Sequence, residues 1–199
     1  MKTPKKILND PRNATAEMME GLVLGYDGRV GKVEGHGAFF LKDIPAGKVA
    51  LLVGGGSGHE PIFGGFLGLN LADGAAAGEV FTSSSPQMIC EAARAIDRGK
   101  GVVFVYGNYS GDNMNFDMAA EFLASEGIET RTIRVRDDVA VGAPDRPDDR
   151  RGIAGDVFVI KIAGGAAAEL DSLDEVARVA AKAEANTRSM GVAVSPGSL

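Results

Sequence analysis

The sequence VALLVGGGSGHEP, residues 49–61, places an unbroken apolar run directly before a glycine-rich segment. The apolar run, residues 49–53, is typical of a strand buried in a parallel sheet. The glycines after it predict a loop at the carboxyl end of that strand, where open α/β sheets bind their ligands. The segment therefore predicts an α/β fold with a site at residues 54–60, where backbone N–H groups and His59 could contact a polar or anionic small ligand.

Strands and helices alternate along the rest of the chain. We predict strands at residues 48–53, 101–106 and 129–136, an apolar segment at 75–81, a helix that follows Asn13 and ends near Gly25, and helices at 61–67, 86–98, 112–126 and 171–188. Residues 136–151 are charged and contain two prolines, which predicts an exposed loop. Residues 156–168 fit a strand or a buried helix equally well. The βαβ order predicts a single layered α/β domain with a mostly parallel sheet and helices on both faces.

Composition excludes several classes of protein. The net charge of −6 argues against nucleic acid or an anionic membrane as the main partner. No apolar run reaches the roughly 18 residues of a membrane-spanning helix, so we expect a cytoplasmic protein. The single cysteine, Cys90, permits no internal disulfide and is expected to fill the core. The two histidines are not spaced for a metal site, and His36 is interpreted as solvated and inert.

A second candidate site, Gly107–Asp112, follows the strand at 101–106 just as the first follows its own strand. The carboxyl ends of parallel strands lie at one edge, so the two loops should converge, with hydroxyls from residues 78–83 beside them. A carboxylate paired with an imidazole could orient a hydroxyl or take its proton, which would be the role of Asp112 and His59. The alternatives are a tight turn at the glycines and a first-turn helix charge at Asp112. Neither a dinucleotide fingerprint nor a Walker-type phosphate loop is present.

The chain resembles a known family in five ordered segments: GGGSGHEP at 54–61, AAAGEVFTS at 75–83, GNYSGDNMNFDMA at 107–119, RRGIAGDVFVIKIAG at 150–164 and NTRSMGVAVSP at 186–196. These are similar to the substrate-binding subunit of dihydroxyacetone kinases. The resemblance implies binding of a short ketose such as dihydroxyacetone. It also implies a separate subunit or domain that supplies Mg-ATP, or a phosphorylated carrier protein, so no cofactor is expected on this chain. A homodimer is implied as well.

The resemblance also assigns roles to residues. It implies a substrate contact at Gly56, a hydrogen-bonding histidine at His59 and an essential, proton-accepting aspartate at Asp112, with Ser57, Gly58 and Gly107 in the same substrate-binding site. Two departures stand out. The family's covalent histidine lies in a later Gly-Ile-His-Gly-Glu-type motif that these 199 residues lack, and Gly107 occupies the place of a common lysine. The space left by that lysine could suit a four-carbon ketose such as erythrulose.

The resemblance implies a second domain after the point where the sequence stops. We therefore expect these residues to be the N-terminal domain of a ketose kinase subunit, with little activity on their own. One alternative is a non-catalytic ketose-binding module that regulates a transcription factor or another partner protein. Another is an unrelated α/β protein that binds an anion at the amides of residues 54–58.

Overall fold

The computed structural model describes residues 6–35 and 37–195, so the interpretation of His36 lies outside the described residues. The helices are α1 (Ala14–Gly25), α2 (Pro86–Ile96), α3 (Ser110–Ser125), α4 (Asp156–Glu169) and α5 (Leu173–Asn186). The strands are β1 (Val30–Lys32), β2 (Ala38–Leu41), β3 (Ala50–Ser57), β4 (Gly74–Val80), β5 (Val102–Gly107) and β6 (Thr130–Val135). Short 3-10 turns lie at Pro11–Asn13, Gly64–Phe66 and Pro147–Asp149.

The described strands form one sheet in the order β1-β2-β4-β3-β5-β6. The four strands β4, β3, β5 and β6 are parallel, and β2 and β1 extend the sheet in antiparallel fashion. The predicted mostly parallel α/β sheet is confirmed. The chain leaves β3 for β4 on one side and returns through α2 to β5 on the other. Strands β3 and β5 are neighbours whose following connections run to opposite sides, so a crevice opens at their carboxyl ends, between the loops that follow them.

Helices cover both faces of the sheet, as predicted. The core on one face brings side chains of α1, α4 and α5 against the strands, and the core on the other does the same with α2 and α3. The central strand β3 is buried along its whole length. Helix α2 begins where the sequence indicates, because the Ser85 hydroxyl accepts the Met88 N–H at 3.3 Å and Pro86 occupies the first turn. In residues 6–35 and 37–195 no helix combines the length and apolar content needed to cross a bilayer.

Two expectations are corrected, and one hairpin was not foreseen. Strand β3 continues to Ser57 rather than ending at Val53, because Gly54, Gly55 and Gly56 pair in parallel register with residues 76–78 of β4. The helix predicted at 61–67 is wrong, since only a 3-10 turn at Gly64–Phe66 forms there. The short hairpin of β1 and β2 was not predicted, because strands of three and four residues give little periodicity. The ambiguous segment at 156–168 is helical, as α4.

Candidate functional site

A cavity of about 500 Å³ opens at the carboxyl ends of the parallel strands. Its walls come from the end of β3, the loops that follow β3, β4 and β6, and the start of α3. The lining residues are Gly55, Gly56, His59, Ile62, Phe63, Phe81, Ser83, Gly107, Tyr109, Asp112, Gly152, Ile153, Ala154 and Asp156. The two glycine-rich loops predicted to converge thus meet in one cavity.

The floor of the cavity at the end of β3 has to be bare backbone. A Cβ atom on Gly56 would lie 2.7 Å from the backbone nitrogen and 3.0 Å from the carbonyl oxygen of Thr82. Those Thr82 atoms belong to the turn after β4, so the close approach of the two loops depends on glycine at residue 56. Residues 55 and 56 therefore line the cavity with backbone atoms alone.

Ser57 and Gly58 lie beside the cavity without lining it. Ser57 is 2% exposed, and its hydroxyl donates to the carbonyl oxygen of Gly78 at 2.6 Å, which ties β3 to β4. Gly58 has a φ of +95°, and its N–H donates to the Glu60 carboxylate at 3.0 and 3.1 Å. Both residues therefore shape the loop that carries His59, and direct substrate contact by them stays a prediction.

His59 stands at the mouth of the cavity. It is exposed, and its ring packs against the ring of Phe81 with centroids 4.8 Å apart and planes tilted by 42°. Phe81 belongs to the turn after β4, so two loops fix the imidazole between them. A ring held on one side by an aromatic neighbour and open on the other can hydrogen-bond a ligand that enters the cavity.

Asp112 lies in the first turn of α3 and lines the cavity. It is 8% exposed, and its Oδ1 has no hydrogen-bond partner in the described part of the chain. Burial raises the pKa of this carboxyl to about 6, and the Ser83 hydroxyl and its own backbone N–H oppose the rise. A cap or a first-turn charge would normally be satisfied by backbone N–H groups or by water. Asp112 instead has the burial and the shifted pKa typical of a proton-transferring group.

A second buried carboxyl, Asp156, lines the same cavity. It lies at the start of α4, is 3% exposed, and its Oδ1 also has no partner among the described residues. Burial, followed by the charges of Asp137 and Asp112, raises its pKa well above the ordinary value. The sequence reasoning did not select this residue. The available signal was topological, because the loop after β6 ends at the same edge of the sheet as the loops after β3 and β5.

Asp137 and Asn108 hold the loop after β6 against the cavity. Asp137 is fully buried and accepts the N–H groups of Ile153 and Gly155 at 2.8 and 2.7 Å, together with the Ser189 hydroxyl. The Asn108 amide donates to the carbonyl oxygens of Asp148 and Arg150 at 2.9 and 2.8 Å. The segment that carries residues 152–156 therefore has a defined position.

Tyr109, another lining residue missed from the sequence, links α3 to the same loop. Its hydroxyl donates to the carbonyl oxygen of Gly152 at 3.0 Å, while the residue as a whole stays 43% exposed. Gly107 lies between this ring and Asp156, because a Cβ atom there would be 3.2 Å from Tyr109 Cε2 and 3.3 Å from Asp156 Oδ2. Of the residues predicted for the site, Gly56, His59, Gly107 and Asp112 thus share the cavity.

Comparison with known proteins identifies the family. The model of the Dak1 domain matches residues 20–199. The chain belongs to the Dak1 family. The resemblance to dihydroxyacetone kinases is thereby confirmed.

Two curated Dak1 relatives differ in the ketose that their names give. The dihydroxyacetone-binding subunit DhaK of a PTS-dependent dihydroxyacetone kinase from Listeria innocua is 43% identical over 98% of this chain and 59% of its own length. A D-erythrulose kinase from Mycolicibacterium smegmatis is 45% identical over 94% of this chain and 32% of its own length. The chain thus spans about three fifths, or less, of the curated relatives that it matches.

Two solved structures have the same fold. The dihydroxyacetone kinase of C. freundii matches with a TM-score of 0.85 and 31% identity, over 92% of this chain and 34% of that one. A dihydroxyacetone kinase operon co-activator, DhaQ, matches with a TM-score of 0.77 and 32% identity, over 83% and 51%. Within residues 6–35 and 37–195, no group of three or more histidines, cysteines and acidic residues is arranged to hold a metal ion.

Proposed function

We propose that this chain forms the ketose-binding part of a dihydroxyacetone-kinase-type phosphotransferase. In this proposal the cavity binds a short ketose, such as dihydroxyacetone or erythrulose, and holds one of its hydroxyls for phosphorylation. The observation that carries the proposal is Asp112, a buried carboxyl with an unpartnered oxygen and a pKa of about 6, in one cavity with His59 and the bare backbone of Gly56. A carboxylate with that pKa accepts a proton near neutral pH.

The proposed step needs little chemistry from the protein beyond positioning. The ketose hydroxyl oxygen forms the new bond to the phosphorus of the donor, its proton passes to Asp112, and the bond from phosphorus to the donor's leaving group breaks. His59 hydrogen-bonds the ketose, and the backbone at Gly56 fixes its depth in the cavity. Phosphoryl transfer depends mainly on alignment and on charge stabilisation, so a binding chain contributes by aiming one oxygen at a donor held elsewhere.

The donor belongs to a partner in this proposal. Mg-ATP on a nucleotide-binding subunit and a phosphorylated carrier protein are the two candidates, and the sequence contains neither of the nucleotide-binding loop motifs tested. The Listeria innocua relative's name, which includes PTS dependence, favours the carrier. A homodimer and a cytoplasmic location are part of the same proposal. Their support is the resemblance to the dihydroxyacetone kinase family.

The first test is ketose binding to the ¹⁵N-labelled chain. We expect dihydroxyacetone and erythrulose to shift the amide signals of residues 54–59 and 107–112 together, because both loops line one cavity. Shifts of the amides at 54–58 with inorganic phosphate, and none with either ketose, would instead support an unrelated anion-binding protein. The absence of any ketose shift would contradict the proposed function.

The second test isolates the proton acceptor. In the protein that contains this chain, assayed with its donor subunit, we expect Asp112→Asn to lower the rate of ketose phosphorylation by about 100-fold or more, because general-base catalysis contributes on that order. Asp117→Asn is the matched control, since Asp117 lies on the same helix but pairs with Arg134 at the surface. Its rate should stay within about twofold of the unchanged protein. An undiminished rate with Asp112→Asn would exclude Asp112 as the base.

A regulatory module is the second candidate function. The structural likeness to the operon co-activator supports it, because that protein has the same fold at 32% identity. Such a module would bind a ketose and signal its presence to a partner protein without phosphorylating it. Ketose shifts in both loops, together with no phosphorylated ketose after addition of either donor system, would favour this function over the kinase.

A further inference from the structure

The carboxyl of Asp156 has no structural use in the described part of the chain. A buried aspartate at the start of a helix is normally satisfied by first-turn N–H groups or by a cation. Asp156 Oδ1 accepts no hydrogen bond from the described residues, and none of the ion pairs formed there includes Asp156. The neighbouring Asp137 differs, since it accepts two backbone N–H groups and a hydroxyl. An unpartnered buried carboxyl that lines a cavity is available to a ligand.

Gly107 keeps that carboxyl open to the cavity. A Cβ atom on Gly107 would lie 3.3 Å from Asp156 Oδ2, so even a methyl group would cover it. Gly107 does not have a positive φ, so its backbone would accept a side chain. Glycine at this position therefore avoids a side chain that would crowd Asp156 Oδ2, Tyr109 and the carbonyl oxygen of Gly152.

The cavity also has room for more than a three-carbon ketose. Its volume of about 500 Å³ lies within the range of about 300–1,000 Å³ that is typical of pockets for ligands well above three carbons in size. Asp112 lies in the first turn of α3 and Asp156 in the first turn of α4, so two helices present one carboxyl each to the same space. The cavity volume therefore allows a ketose chain longer than three carbons.

We propose that Asp156 is a specificity-determining residue that hydrogen-bonds a hydroxyl found only on ketoses of four or more carbons. The inference rests on the proposed function and adds the substrate class to it. The ketose chain runs from the hydroxyl held by Asp112 and His59, past Gly107, to the carboxyl of Asp156. Burial raises the pKa of this carboxyl and so favours its protonated form, which can both donate to and accept from a hydroxyl.

The test compares the affinities of two ketoses in four chains. Dissociation constants for dihydroxyacetone and erythrulose come from NMR titrations of the unchanged chain, Asp156→Ala, Gly107→Ala and Asp145→Ala. Asp145 is an exposed aspartate in a turn outside the cavity and serves as the matched control. We expect Asp156→Ala to weaken erythrulose binding about 3- to 10-fold, as loss of one hydrogen bond would, with dihydroxyacetone unchanged. Gly107→Ala should also lower the ratio of erythrulose affinity to dihydroxyacetone affinity, because the added methyl group covers the carboxyl. Asp145→Ala should leave this ratio unchanged.

A thermal melt separates binding from folding. Because Asp156 satisfies no group in the described fold, Asp156→Ala should unfold at the same or a higher temperature than the unchanged chain. If this variant fails to fold, Asp156 has a structural role and the inference is overturned. If Asp156→Ala binds both ketoses with the same ratio of affinities as the unchanged chain, this inference is overturned and the proposed function is not. Binding of neither ketose by the unchanged chain overturns the proposed function, and this inference with it.

Discussion

Three buried aspartates near the cavity show how burial and hydrogen bonding separate structural from functional carboxyls. Asp137 is enclosed by donors from the loop after β6. Asp112 and Asp156 are almost as buried, yet each has an oxygen without a partner in the described residues. Natural proteins rarely leave buried polar atoms unsatisfied without a functional reason. The unsatisfied pair therefore marks the ligand-facing side of the cavity.

Asp112 should make stability depend on pH in a defined direction. Its folded pKa of about 6 lies above the value of an exposed aspartate, so the folded state binds more protons than the unfolded state between about pH 4 and 6. The stability that this group supplies is therefore present at acidic pH and is lost as pH rises through 6. Asp112→Asn removes the dependence. Asp112→Asn should therefore raise the unfolding free energy relative to the unchanged chain. We expect this increase to be about 2 kcal/mol larger at pH 7 than at pH 4.

Urea unfolding at several pH values measures this difference. Asp156 has a pKa shifted in the same direction, so the variant has to be compared with the unchanged chain at each pH rather than with a single curve. Asp117→Asn again serves as the control, because its carboxylate is exposed at the surface. A constant difference between Asp112→Asn and the unchanged chain across this range would show that Asp112 is not shifted.

At the scale of elements, the end of β3 depends on the absence of side chains. Strand propensities disfavour glycine, which is why the sequence pattern suggested that the strand stopped at Val53. The structure shows a reason for three successive glycines within the strand. The residues that pack on them include Phe116 on Gly54, Phe63 on Gly55 and Thr82 on Gly56. Tertiary packing here overrides local preference.

Alanine at Gly56 should therefore destabilise both the fold and the site. A Cβ atom would lie 2.7 Å from the Thr82 backbone nitrogen, and backbone cannot rotate away as a side chain can. We expect a loss of about 1–3 kcal/mol in unfolding free energy, typical of overpacking, and weaker ketose binding. Gly21→Ala is the matched control, because a Cβ atom there meets nothing within 4 Å in helix α1.

The control should change stability in the opposite direction. Alanine is preferred over glycine in a helix interior, so Gly21→Ala should stabilise the chain by about 0.5–1 kcal/mol. Thermal or urea unfolding of both variants provides the measurement. Equal, small effects of the two substitutions would mean that the loops after β3 and β4 approach less closely than described.

The sequence predicted the elements that carry strong periodicity and missed those that depend on distant partners. The buried strand at 101–106 and the helices predicted at 86–98 and 112–126 follow from apolar runs, a proline at the start of one helix and a glycine after the end of the other. Asp112 and His59 were selected because strand ends in a parallel sheet meet at one edge. Asp156 was missed, since whether 156–168 formed a strand or a helix could not be decided from periodicity alone. Its loop is held at the cavity by contacts of Asp137, Asn108 and Tyr109 that are distant in sequence.

At the scale of the whole molecule, the ligand cavity and a stabilising ion pair lie at opposite ends of the parallel strands. The cavity lies at the carboxyl ends of the strands. At the amino ends, Lys48 precedes β3 and Asp73 precedes β4, and their side chains form an ion pair at 2.5 Å with 12% and 4% exposure. Asp73 also accepts the Leu51 N–H at 2.9 Å. This pair joins the two central strands far from the proposed ketose.

Breaking the pair should therefore affect the fold and leave specificity unchanged. Asp73→Ala leaves the Lys48 ammonium buried without its partner, which typically destabilises a protein by about 3–5 kcal/mol. We expect that loss in urea unfolding, and an unchanged ratio of erythrulose to dihydroxyacetone affinity under conditions where the variant is folded. Asp117→Ala, which breaks an exposed pair with Arg134, should change stability by less than about 1 kcal/mol. A changed ratio of erythrulose to dihydroxyacetone affinity in Asp73→Ala would show that the ion pair and the cavity are coupled.

Cys90, the chain's only cysteine, lies 2% exposed in the core between α2 and α3, and burial raises the pKa of its thiol. Such a thiol reacts slowly with alkylating reagents, because the reactive thiolate is scarce and shielded. Thiol-reactive labels should therefore react little with Cys90. A single cysteine introduced at the rim, for example at the exposed Thr82 beside Phe81, would accept a fluorescent or spin probe selectively. The fold thus allows cavity occupancy to be observed by spectroscopy without first removing a native thiol.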